Sequence, residues 1–126
     1  MKLPFFKSKP RVLLLDDDAS IRRLVSALLR SRGFRVDEVT SGLAALESME
    51  REKYAVLILD LMMPHEGGVT VMRKLRESDP ARMRSVVLLT AAPAAVIASY
   101  ANEVGAVVQK PFTPEELVAT IERVAS

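Results

Sequence analysis

A chain of 126 residues and 13.9 kDa is the size of one ordinary domain and is long enough to bury a core without metal or disulfide staples. At 49% hydrophobic and 27% charged, with no cysteine and one histidine, it is too apolar for a disordered chain and too often interrupted by charge for a membrane span; it has no thiolate chemistry, and any metal must be held by oxygen. A net charge of +2, from 18 basic and 16 acidic residues spread along the chain, does not point to nucleic acid as a partner.

Residues 1–10 read as an N-terminal extension and 11–126 as the domain. The start, Met1 to Lys7, lacks the apolar stretch and cleavage site of a signal peptide, so a cytoplasmic location is expected. The segment Lys2-Leu3-Pro4-Phe5-Phe6-Lys7-Ser8-Lys9 has the basic and aromatic composition of a membrane or partner contact, and a frayed terminus is the simpler expectation.

From there short apolar runs alternate five times with segments of helical period, the pattern of an α/β domain with a parallel sheet. Strands are expected at Val12–Asp16, Arg35–Val39, Val56–Asp60, Val86–Thr90 and Ala106–Gln109. Four are Leu-rich or β-branched runs suited to a sheet covered on both faces; the second alternates and belongs at an edge. The first helix spans Ser20 to Arg32, with Ile21, Leu24, Val25, Leu28 and Leu29 toward the core, its arginines in water and Gly33 as a left-handed cap. Further helices are expected at Leu43–Glu50, Val69–Ser78, Ala95–Val104 closed by Gly105, and Pro114–Val124. The last opens on Thr113 as cap, with Pro114 at the first position and Glu115 and Glu116 on the positive helix end.

Ligands of such a sheet collect beyond the carboxyl ends of its strands. There the sequence has Asp16-Asp17-Asp18 after the first strand, Asp60 after the third, Thr90 after the fourth and Lys110-Pro111 after the fifth. Singly, each has a plain reading: an acidic run is often a helix cap, a threonine a strand residue, a lysine a surface charge. Asp60 follows Val56-Leu57-Ile58-Leu59 and needs a cation or donors to offset its desolvation. Three carboxylates at one edge favour a hard divalent cation, and magnesium suits an open site with few carboxylates.

In that chain order the residues resemble the response-regulator receiver family of two-component signalling, from Arg11 to Val124. The resemblance is carried by Val12-Leu13-Leu14-Leu15-Asp16-Asp17-Asp18, Leu57-Ile58-Leu59-Asp60-Leu61-Met62-Met63-Pro64 with Gly68, Val87-Leu88-Leu89-Thr90-Ala91 and Gln109-Lys110-Pro111-Phe112. It implies a doubly wound, flavodoxin-like sheet of order 2-1-3-4-5 with five helices and a cis bond at Lys110-Pro111. It implies Mg2+ held by Asp16, Asp17, Asp60 and the Met62 backbone carbonyl, Asp60 as phosphoacceptor, and Thr90 and Lys110 on phosphoryl oxygens. The implied protein is a stand-alone signalling module and not an enzyme. A sensor histidine kinase or histidine phosphotransfer protein donates the phosphoryl group. Output is phosphorylation-dependent contact with a downstream protein or a second copy through the fourth helix, fifth strand and fifth helix.

The sequence departs from the family in places. Val107 stands where receivers usually carry an aromatic switch residue, which implies blunted coupling. Met62 and Ala92, at positions that tune phosphoaspartate hydrolysis, have no side-chain group to orient a water, so a long-lived phosphoryl group is expected. The loop Pro64-His65-Glu66-Gly67-Gly68 replaces the commoner Met-Asp-Gly ending, and His65 is expected to be an exposed loop residue without a catalytic part. The nearly uncharged Ala94–Ala101 is expected to present an apolar patch.

Two rivals stand beside this reading. A phosphorylation-independent receiver-like binding module is kept open by Val107. A haloacid-dehalogenase-like phosphatase also has a strand-terminal Asp-x-Asp like Asp16-Asp17-Asp18, then Thr and Lys. Glu115-Glu116, however, opens a helix instead of ending a strand, and Asp60 is left without a role.

Overall fold

The computed structural model describes residues 9–64 and 67–126; His65 and the leader through Ser8, with the expectations placed on them, lie outside these. Five strands, β1 (Arg11–Leu15), β2 (Arg35–Val39), β3 (Val56–Leu59), β4 (Val86–Thr90) and β5 (Ala106–Gln109), form one parallel sheet of order 2-1-3-4-5. The helices are α1 (Ala19–Ser31), α2 (Gly42–Arg51), α3 (Gly68–Ser78), α4 (Ala94–Ala98) and α5 (Pro114–Ala125).

Period-two alternation in the three central strands sorts their side chains into two layers. Leu13, Leu15, Leu57, Leu59, Val86 and Leu88 face α2, α3 and α4, where they meet Ala45, Met72, Leu75 and Ile97. Val12, Leu14, Val56, Ile58, Val87 and Leu89 face α1 and α5, packing on Val25, Leu29, Leu117 and Ile121. Central strands buried on both faces explain the unbroken apolar runs of β1, β3 and β4. β2 lies at an edge as its alternation predicted, and β5, at the other edge, buries only Val108 despite its apolar run.

Several local expectations change in the folded chain. β1 and β3 end one residue early, leaving Asp16 and Asp60 just past the last paired residues, Leu15 and Leu59. A 3-10 helix over Pro80–Ser85, which no periodicity announced, inserts Met83 into the core. α4 is regular only to Ala98 and continues as turns, because Tyr100, Ala101 and Glu103 amides bond back to carbonyls at mixed spacing. Leu24 is 44% exposed, and the buried stripe of α1 is Val25, Ser26 and Leu29. Gly33 takes the expected left-handed conformation at φ 90°. Gly105 is needed for a different reason than capping: its amide bonds the Val86 carbonyl at 2.8 Å, and a Cβ there would collide with the Arg84 carbonyl oxygen.

Candidate functional site

The four strand ends that carry polar residues converge at one edge of the sheet. β1 and β3 are neighbours, so Asp16 and Asp60 lie side by side, and the Asp60 amide bonds the Leu15 carbonyl at 3.1 Å. The acidic run after β1 divides its tasks. Asp18 caps α1, its carboxylate accepting from the Ser20 and Ile21 amides, while Asp16 is 1% exposed and Asp17 is exposed. Carboxylate oxygens of Asp16, Asp17 and Asp60 lie within 4.8 Å of one another, a donor set suited to a hard divalent cation.

Lys110, following β5, reaches across β4 to this cluster. Its Nζ donates to Asp16 Oδ2 at 2.7 Å and to Asp60 Oδ2 at 3.2 Å. The Lys110 amide bonds the Thr90 carbonyl at 3.0 Å, and a cis bond joins Lys110 to Pro111. The second oxygen of each aspartate is held by backbone: Asp18 N–H donates to Asp16 Oδ1 at 2.9 Å and Met62 N–H to Asp60 Oδ1 at 3.0 Å. Thr90 is fully buried and its hydroxyl oxygen accepts from Ala92 N–H at 3.1 Å.

Burial pushes the Asp16 carboxyl above the ordinary carboxylate value, and the bonds from Lys110 and the Asp18 amide offset part of that. For Lys110, burial works against the charged form, but the Asp16 bond and the Asp60 charge outweigh it and hold the ammonium above its usual value. Lys110 is therefore charged at neutral pH, neutralising a buried carboxylate pair.

All the sequence-predicted carboxylates, Thr90 and Lys110 meet at this edge. Met62, two residues past Asp60, is 55% exposed, and its backbone amide is the group that bonds the Asp60 carboxylate. Arg22 was expected in water; instead its guanidinium donates to the Asp16 carbonyl at 2.8 Å and pairs with Glu38 at 3.4 Å. Glu38 also accepts from the buried Ser26 hydroxyl at 2.8 Å, so α1 and β2 together brace the acidic loop. A signal for this was present, because Arg22 shares one helical stripe with Val25, Ser26 and Leu29. Gly68 brings α3 against the site: its amide bonds the Asp60 carbonyl at 2.9 Å, and an added Cβ would lie 2.5 Å from that same oxygen.

On the neighbouring surface Val107 and Tyr100 are half-buried, and each packs against the layer containing Leu88 and Ile97. Arg76 of α3 braces the turns after α4 through Glu103, the Ser99 carbonyl and the ring of Tyr100. Ala94, Ala95 and Ala98 are exposed and Val96 is 38% exposed, an apolar surface of the kind the composition of α4 predicted.

Residues 12–122 match the response regulator receiver domain family. The chain is similar to the DNA-binding response regulator MtrA of Mycobacterium tuberculosis, 35% identical over 115 residues that cover 90% of this chain and 49% of MtrA. It thus spans about half the length of the curated relatives it matches. Among solved structures, it resembles the receiver domain of a sensor histidine kinase from Pseudomonas aeruginosa with magnesium coordinated in the active site cleft (27% identity, TM-score 0.80, covering 93% of this chain and 98% of that one). It also resembles the response regulator TrrA of Thermotoga maritima in complex with Mg(2+)-BeF (27% identity, TM-score 0.79, covering 91% and 98%).

Proposed function

The chain belongs to the response regulator receiver domain family of two-component systems, and from that premise we propose that it accepts a phosphoryl group on Asp60 in a magnesium-dependent reaction. The observation that carries this is the pair of buried carboxylates, Asp16 and Asp60, sharing the Lys110 ammonium within 4.8 Å of the Asp17 carboxylate. Asp16, Asp17, Asp60 and the Met62 carbonyl are the groups that would hold magnesium. When bound, the ion supplies positive charge to the phosphoryl oxygens and to the carboxylates around them.

The donor is a phosphohistidine of a sensor kinase or phosphotransfer protein. An Asp60 carboxylate oxygen forms the new P–O bond as the P–N bond breaks, and the leaving imidazole keeps the bonding electrons and takes a proton from solvent. Lys110, 3.2 Å from Asp60 Oδ2, is placed to offset the charge that the phosphoryl group adds. The Thr90 hydroxyl proton has no acceptor among the described residues and is available to a phosphoryl oxygen. Output is a change in protein contact at the exposed α4 surface with β5 and α5, to a downstream protein or a second copy. The DNA binding named for MtrA belongs to that protein. Among the described residues no helix is long and apolar enough to cross a membrane.

The test is incubation with magnesium and acetyl phosphate, read by intact mass beside Asp60→Asn. One phosphoryl adduct on the wild type, absent from the variant and from a sample with chelator, is expected. No adduct on either protein would overturn the reading and leave the phosphate-independent binding module. Steady release of phosphate from simple esters would instead revive the phosphatase.

A further inference from the structure

Asp17, the exposed member of the carboxylate cluster, makes no hydrogen bond or salt bridge of its own among the described residues. Its placement therefore depends on the peptide units on either side of it. On one side Asp18 is fixed twice, by its amide on Asp16 Oδ1 and by its carboxylate on the first amides of α1. On the other, the planar peptide joining Asp16 to Asp17 has a single anchor among the described residues: Arg22 Nη1 donates to the Asp16 carbonyl oxygen at 2.8 Å. Arg22 is itself held. Its Nε pairs with Glu38 Oε1 at 3.4 Å, while Glu38 Oε2 accepts from the buried Ser26 hydroxyl at 2.8 Å and faces Arg30 at 3.8 Å. One planar group thus ties α1, β2 and the acidic loop together, a two-point contact that the single ammonium of a lysine cannot reproduce.

We infer that Arg22 is a positioning residue for the metal site: through the Asp16–Asp17 peptide it aims the Asp17 carboxylate at the ion, with Glu38 holding the guanidinium in place. The inference rests on the reading of Asp16, Asp17 and Asp60 as a magnesium site. By charge alone Arg22 opposes that site, because a guanidinium beside the acidic loop repels a divalent cation, and Glu38 offsets only part of the repulsion. What the guanidinium gives the site is geometry. Groups that orient metal ligands without touching the metal commonly change affinity by about 10–100-fold. Charge and geometry therefore predict opposite signs when Arg22 is neutralised: tighter magnesium binding if the cation only repels, weaker binding if it positions Asp17.

The experiment is a magnesium titration of the full chain at constant ionic strength, followed by the amide NMR signals of Asp16, Asp17, Asp18 and Met62. Because these signals report folded molecules, a loss of stability by itself does not move the affinity they give. Arg22→Gln is expected to bind magnesium at least about tenfold more weakly than wild type, although it has lost a repelling cation. Arg23→Gln removes the same charge from the next residue, which is exposed and forms no salt bridge among the described residues, and should bind within about twofold of wild type. Arg22→Lys keeps the charge and the aliphatic stem and should stay at least about fivefold weaker than wild type. As the gentler change, it carries the test by itself if Arg22→Gln does not fold. Wild-type or tighter binding in either Arg22 variant would overturn the inference, as would an equal loss in Arg23→Gln. A wild type whose signals ignore magnesium would remove the metal reading and this inference together, a result distinct from a wild-type response that the Arg22 changes leave untouched.

Discussion

Lys110 Nζ lies 2.7 Å from Asp16 Oδ2, joining two residues that are 94 positions apart in the chain and directly beneath the same sheet edge. Asp16 is 1% exposed and the lysine side chain 18%, so the pair is largely withdrawn from water. Lys110→Met keeps the aliphatic stem and removes the charge that neutralises Asp16 and Asp60. Leaving buried carboxylates uncompensated costs several kcal/mol when burial is complete; with a partly solvated lysine, about 1–3 kcal/mol is expected by urea unfolding. Magnesium should stabilise this variant more than the wild type, because the added cation then replaces the ammonium. An equal or smaller magnesium-induced shift of the urea midpoint would show that Lys110 does not neutralise the pair.

Gly68→Ala places a methyl group 2.5 Å from the Asp60 carbonyl oxygen, a backbone atom that cannot swing aside. Overpacking of this kind costs about 1–3 kcal/mol. Because the strain falls on the residue that carries the proposed chemistry, the rate of adduct formation on Asp60 should fall by more than the stability loss alone would cause. A destabilised variant that phosphorylates at the wild-type rate under folded conditions would contradict this.

Met62, 55% exposed beside Asp60, and Ala92, 5% exposed beside Thr90, have no side-chain group that can orient a water on a phosphoaspartate. The adduct is therefore expected to be long-lived, and Met62→Asn should shorten its lifetime several-fold in a chase followed by intact mass. A wild-type lifetime of seconds in magnesium buffer would refute the reasoning.

Val107 packs against the same core layer as Tyr100 and has no ring that can swing between inward and outward positions. Blunted coupling is expected, seen as little change in hydrogen exchange over Ala94–Glu103 on phosphorylation. Val107→Tyr should enlarge that change. A full response in the wild type would show that the signal leaves by backbone movement alone.

Tyr54 donates to Asp37 Oδ2 at 2.7 Å, and burial, followed by that bond and the Asp37 charge, pushes its phenol up to about 12. An unfolded tyrosine titrates at about 10, so the folded state binds the proton more tightly, and stability present below about pH 10 is lost as the pH climbs through the folded value. In Tyr100→Phe, where Tyr54 is the one tyrosine of an original two, the phenolate absorbance should have its midpoint near 12. A midpoint near 10 in protein still folded by circular dichroism would sink this assignment.

What the sequence determined by itself is local and periodic. Unbroken apolar runs marked β1, β3 and β4 as central and alternation marked β2 as an edge, because burial on one or both faces is written directly into residue period. The polar residues that end those runs named the site, since an aspartate after Val56–Leu59 has nowhere to go but the strand's end. Relations between elements were decided only by the tertiary structure. Whether Arg22 faces water or the Asp16 carbonyl depends on how α1 rotates over β2, and Leu24 turned outward in the same rotation. Charges interspersed along the chain became an acidic pole and a basic groove, because parallel strands gather every amino end on one side and every carboxyl end on the other. Crossover connections and core packing set those distances, and no local pattern in the chain encodes them.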